Sequence, residues 1–158
     1  MRWKMMQLYD IQPGSKVFYY SMAGRHAYTA TLVATLTRPV QLPALRQAVK
    51  KAMIAQPYYQ SHPVKKDNGI FTVRRPPAEV PVFEETGSGR AYGSDETCGY
   101  LFYVTYCGRD IYLRSYHGLA DGRGMFLFLQ KLLEFYFKEL GFDVKAGGSS
   151  LDPEELDS

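Results

Sequence analysis

Between Gly99 and Leu140 the spacing of apolar residues changes from two to between three and four, and the change is made across residues 117–124. Gly99–Tyr106 and Asp110–Tyr116 are aromatic and β-branched runs on either side of a Cys-Gly-Arg-Asp turn, the pattern of an antiparallel hairpin. From Arg123 to Leu140, Met125, Phe128, Leu129, Leu132, Leu133, Tyr136 and Leu140 recur at the helical interval. Glu134 is spaced to pair with Lys138 on that helix, and Gly141 is a natural C-cap. A strand that runs through a short glycine-bearing loop into an amphipathic helix requires both element types in one fold.

Other segments fit the same architecture. Ala27–Leu36 alternates, with Tyr28, Ala30, Leu32, Ala34 and Leu36 on one side and mostly Thr on the other, a half-buried strand that Arg38-Pro39 ends. Leu42–Gln56 carries Leu42, Leu45, Val49, Ala52 and Met53 as a helical stripe opposite Arg46, Gln47, Lys50 and Lys51, with Pro43 in its first turn and Pro57 at its stop. Ile70–Arg74 reads as a strand after an Asp67-Asn68-Gly69 turn, and Pro81–Glu84 as a short edge piece. The predicted fold is α/β (an α+β sandwich), a mixed or antiparallel sheet packed by helices near 42–56 and 123–141. Residues 1–142 are expected to form one domain. Residues 143–158, with Gly147-Gly148-Ser149-Ser150 followed by an acidic stretch, read as a flexible linker or tail.

Composition removes several function classes. The most apolar stretch, Met125–Phe137, is interrupted by Gln130, Lys131 and Glu134, too polar for the ~20 apolar residues of a membrane span. The N-terminus has basic residues but no apolar core or small-residue cleavage site of a secretory signal, so a cytoplasmic protein is expected. Cys98 and Cys107 lie on one extended segment, out of disulfide reach, and His26, His62 and His117 are too scattered for a zinc site. His26 and His62 read as ordinary surface or satisfied histidines. Residues 1–141 hold 18 basic against 11 acidic side chains (+7), and residues 142–158 hold one against five (−4). The basic residues are dispersed, so no nucleic-acid signature arises, and a solvated surface explains them more simply than an anionic ligand does.

Chemistry concentrates in Tyr116-His117-Gly118-Leu119-Ala120-Asp121-Gly122-Arg123-Gly124. A histidine at a strand end is held on rigid backbone, Gly122 and Gly124 permit a tight turn with room for a ligand, and Asp121 stands where a carboxylate caps a helix. On the residues alone, an isolated histidine next to a turn is more often a surface or satisfied histidine, and Asp-Gly before a helix is ordinary capping and turn chemistry.

His117, Asp121 and Gly122 match His-x-x-x-Asp-Gly, and the segment resembles the motif of the chloramphenicol acetyltransferase-like superfamily of alcohol acetyltransferases, plant acyltransferases and nonribosomal peptide condensation domains. The approach Ile111–Tyr116, the exit from Gly124 through Phe128-Leu129 and Leu132-Leu133 to Tyr136, and the helix from Leu42 to Gln56-Pro57 are similar to the family's in the same order. What the resemblance implies is an acyltransferase: His117 as general base deprotonates an alcohol or amine, which attacks the thioester of acyl-CoA or of an acyl carrier protein. Asp121 and Gly122 support the loop, and Tyr116 and Gly124 lie against substrate. No bound cofactor is implied, since CoA or phosphopantetheine enters as co-substrate.

Tyr116 stands where condensation domains carry a second histidine, which favours ester or simple amide formation of the alcohol acetyltransferase type. Family members are about twice as long, with the histidine in a tunnel between two similar halves. The resemblance therefore implies an N-terminal half that works with a C-terminal half or self-associates. The alternative is a non-catalytic module of the same fold that binds an acyl-pantetheine or a carrier protein; a hydrolase lacks a nucleophile elbow.

Overall fold

The computed structural model describes residues 3–9, 15–22, 29–66, 69–116, 119 and 122–142. The chain runs through strands β1 (Trp3–Tyr9), β2 (Ser15–Met22) and β3 (Thr29–Leu36), helix α1 (Leu42–Ala55), strands β4 (Ser61–Lys66), β5 (Gly69–Arg74), β6 (Val82–Glu84), β7 (Phe102–Cys107) and β8 (Asp110–Tyr116), and helix α2 (Gly122–Glu139). Six strands form one sheet in the order β1-β2-β3-β8-β7-β6, and β4 and β5 form a separate hairpin. Neighbours in the large sheet are antiparallel except β6 and β7, which are parallel. The result is the expected α+β sandwich with a mixed sheet.

Each helix turns its apolar stripe to one face of that sheet. Helix α1, with proline in its first turn, buries Leu45, Ala48, Val49, Ala52 and Met53. Helix α2 buries Met125, Phe126, Phe128, Leu129, Leu132, Leu133 and Tyr136 against Leu32, Phe102, Val104, Ile111 and Leu113 of the sheet. Removing a side chain of this size from water contributes roughly 1.5–3 kcal/mol, which is why the helical period in the sequence decides where both helices lie. The 3-10 turn Pro57–Gln60 adds Tyr59, stacked on Phe128 with ring centroids 3.9 Å apart and edge-on to Phe102 at 5.3 Å. Along α2 the buried Glu134 sits between Lys131 and the expected partner Lys138 at 3.4 and 3.8 Å.

Three expectations need correction. Strand β3 is buried on both faces, since Thr31 and Val33 are 2% and 8% exposed; it is an interior strand, and Arg114 and Tyr112 of β8 lie opposite them in register. The first strand of the β7–β8 hairpin starts at Phe102 and not at Gly99, because Cys98 and Gly99 are left-handed (φ 54° and 85°) and turn the chain out of the extended conformation of a regular ladder. Helix α2 stops at Glu139, one residue short of Leu140, which is exposed. Its stop is a Schellman arrangement: the Gly141 N–H donates to Lys138 O at 3.0 Å and the Phe142 N–H to Phe137 O at 2.9 Å. Strands β1, β2 and β4 lie outside the sequence expectations altogether. The two thiols are free, Cys107 exposed beside the hairpin turn and Cys98 half-buried. Residues 143–158, the expected linker, lie outside the described residues.

Candidate functional site

Strand β8 and helix α2 bracket the His-x-x-x-Asp-Gly segment. The strand ends at Tyr116, as expected, and the helix begins at Gly122, one residue before the expected Arg123. His117 and Asp121 themselves lie outside the described residues, and so do His26, Gly118 and Ala120. Asp121 immediately precedes the first helical residue in sequence. Gly124 lies half-buried in the first turn of α2.

Tyr116 is held firmly. Its N–H donates to Leu101 O at 2.9 Å, its carbonyl accepts from the Leu119 N–H at 2.9 Å, and Leu119 is buried in the core. In the β3–β8 ladder Tyr116 is paired with Thr29. The Tyr116 side chain remains 37% exposed.

On the sheet face away from the helices, the structure assembles a group of residues that the sequence reading does not bring together. The Arg114 guanidinium pairs with the Glu85 carboxylate, and both contact the Thr105 hydroxyl. Arg114 also lies 5.0 Å from the Tyr112 ring and 6.0 Å from the Tyr103 ring. Burial alone would raise the Glu85 pKa; hydrogen bonds from Thr105, Arg114 and the Gly87 N–H, with the Arg114 charge, outweigh it and hold the carboxyl below its usual range. Tyr92, from the β6–β7 connection, lies with its ring 6.0 Å from Tyr116 and 5.7 Å from Tyr103, and its hydroxyl donates to Thr29 Oγ1 at 3.3 Å. Burial pushes the Tyr92 hydroxyl pKa up. The one hint of this in the sequence is an aromatic residue amid Gly, Ser and charged residues from Thr86 to Gly99, where nothing else is large and apolar.

His62 is also more than a surface residue. Its ring packs edge-on against Tyr100 at 4.3 Å and closely against Gly99, and its buried Nε2 finds no hydrogen-bond partner among the described residues. Burial, followed by the Arg75 charge, lowers its pKa. Among the described residues no group of His, Cys, Asp or Glu is arranged to hold a metal ion, and no helix is long and apolar enough to cross a membrane.

No family model matches the sequence, and no curated protein matches it. Solved structures do. SgcC5 from Streptomyces globisporus, solved in complex with a naphthyl ethanediol and sucrose, aligns with a TM-score of 0.56 at 17% identity, over 75% of this chain and 32% of its own. The starter condensation domain of the rhizomide synthetase RzmA aligns with a TM-score of 0.54 at 16% identity, over 82% of this chain and 37% of its own. A substituted form of the same domain gives 0.55 at 15% identity, over 79% and 34%. The chain thus spans about a third of the length of these structures. The class that these alignments define is one of fold: the architecture is that of a part of a condensation domain.

Proposed function

We propose that this chain is the histidine-bearing part of an acyltransferase, with His117 as general base. In the reaction, the His117 imidazole takes the proton of an acceptor hydroxyl or amine, and the freed oxygen or nitrogen forms a bond to the thioester carbonyl carbon. The tetrahedral intermediate then collapses with cleavage of the C–S bond, and the leaving thiolate takes the proton back from the imidazolium. An imidazole with a pKa near 6.5 suits both halves of that exchange, and general-base assistance is typically worth about 10² to 10⁴ in rate. Asp121 and Gly122 shape the loop, Tyr116 and Gly124 border the acceptor, and the donor is acyl-CoA or an acyl carrier thioester.

The observation that carries this reading is the location of the motif. The histidine segment spans the β8–α2 connection, in a fold shared with a starter condensation domain. An alcohol acceptor is supported by Tyr116, which departs from the second histidine of condensation domains, and by the diol bound to SgcC5. Because the chain spans about a third of its structural neighbours, the reading includes a second half-domain that closes the site and excludes water.

The test is thioester consumption by the full chain, alone and with a second half-domain from a structural neighbour, against a panel of alcohols and amines. Acceptor-dependent consumption supports the reading. Equal consumption without acceptor marks a hydrolase, and thioester binding without turnover in every combination marks a binding module; either result overturns it.

A further inference from the structure

The connection from β6 to β7, residues 85–101, is built around Tyr92. On its N-terminal side, the Arg90 N–H donates to the Tyr103 hydroxyl at 3.3 Å and the Arg90 guanidinium to Glu96 O at 3.0 Å. On its C-terminal side, the Gly93 N–H donates to Tyr100 O at 2.9 Å, and the Ser94 side chain caps the turn Asp95–Thr97 by accepting from the Glu96 N–H at 3.1 Å. The loop is therefore held on both sides of Tyr92 by bonds that do not involve the Tyr92 side chain.

That side chain packs beside Tyr103 of β7, with ring centroids 5.7 Å apart, and from there reaches the end of the neighbouring ladder. Thr29 and Tyr116 are paired at the end of the β3–β8 ladder, and Tyr92 touches both, its hydroxyl on Thr29 and its ring beside Tyr116. The hydroxyl contact is long for an O–H···O bond, so the ring carries more of the interaction.

We infer that Tyr92 is a positioning residue for the strand-to-helix connection: it clamps the Thr29–Tyr116 end of the sheet and so fixes the point from which residue 117 leaves. A loop aromatic serving only as filler would stabilise the loop and leave the strand end indifferent to its removal. The catalytic consequence rests on the reading of His117 as base, whereas the clamp itself does not.

The experiment is amide hydrogen exchange on the full chain, read at Tyr116 and Leu119, together with the NMR titration of the His117 imidazole. Tyr92→Leu is expected to speed exchange at both amides by tenfold or more and to move the His117 midpoint. Tyr92→Phe, which keeps the ring, should restore both to within about threefold of the unaltered chain. Gly99→Ala serves as a control that destabilises the same loop from its other side, and it should leave the His117 midpoint in place. Should Tyr92→Leu fail to fold, Thr29→Val, which removes the hydroxyl acceptor at constant shape, is expected to speed Tyr116 exchange by a smaller factor of two or more. Unchanged exchange and titration in Tyr92→Leu, or in Thr29→Val where that variant stands in, would overturn the clamp, and so would changes equal to those of Gly99→Ala. In an active preparation, Tyr92→Leu should lower kcat with little change in KM for the thioester. A chain with no transfer at all sinks the proposed function, and the exchange data still decide the clamp.

Discussion

Tyr116, Arg114 and Tyr112 project from alternate positions of β8 to the face without helices, and that face depends on Arg114 being paired. Its partner Glu85 is 12% exposed and Arg114 19%. Removing one member of a fully buried pair costs about 3–5 kcal/mol, and the partial exposure here reduces that, so Glu85→Gln should cost about 1–3 kcal/mol. Because the Glu85 pKa is depressed in the fold, its contribution is present above the unfolded carboxylate value and is lost as pH falls through the folded value. Melting curves from pH 7 to pH 3 should therefore show the variant and the unaltered chain converging at the acid end. His62 has the same sign: its folded pKa is lowered by burial and by Arg75, so its contribution is complete above about pH 6.5 and declines as pH drops below that. His62→Asn should remove this part of the acid sensitivity between pH 7 and pH 5, whereas an unchanged profile would place the loss elsewhere.

At the scale of elements, the sequence was legible where burial is one-sided and periodic. The stripes of α1 and α2, the β7–β8 turn and the ends of β8 and α2 around the motif all follow from spacing, since each element hides one face and shows the other. The β6–β7 connection was opaque because it is fixed by capping turns and by close approach, which leave no period. Gly93 and Gly99 show why: a Cβ on Gly93 would stand 2.5 Å from Pro63 Cγ, and one on Gly99 would stand 2.4 Å from His62 Cε1. These two glycines seat the β4–β5 hairpin on the loop, and nothing about an isolated glycine in the sequence announces a neighbour. Gly87 provides the comparison, with φ of 82° and open space around it. Gly87→Ala should cost only the left-handed backbone penalty of about 1–2 kcal/mol. Gly99→Ala, at φ 85° and in contact with His62, should cost clearly more in chemical denaturation. Equal losses would mean that the hairpin does not rest on Gly99.

For the whole molecule, one face of the sheet is closed by two helices and the other is partly closed by the 85–101 loop, with Tyr116 still reaching solvent at the edge where β8 gives way to α2. The fold class was readable because a strand feeding a helix admits few arrangements. The capping place of Asp121 was legible from its position before the helical stripe, whereas the role of His117 as base came from the motif resemblance, since a histidine after a strand is chemically ordinary until a substrate is beside it. The most direct test pairs acyl transfer with stability in two variants. His117→Ala is expected to abolish acceptor-dependent thioester consumption in the preparation where the unaltered chain is active, with its Tm nearly unchanged. Asp121→Ala is expected to lower stability by ~0.5–2 kcal/mol, the usual loss of a helix N-cap. Transfer that persists in His117→Ala, or a His117→Ala chain that unfolds, would contradict the assignment of His117 as the base.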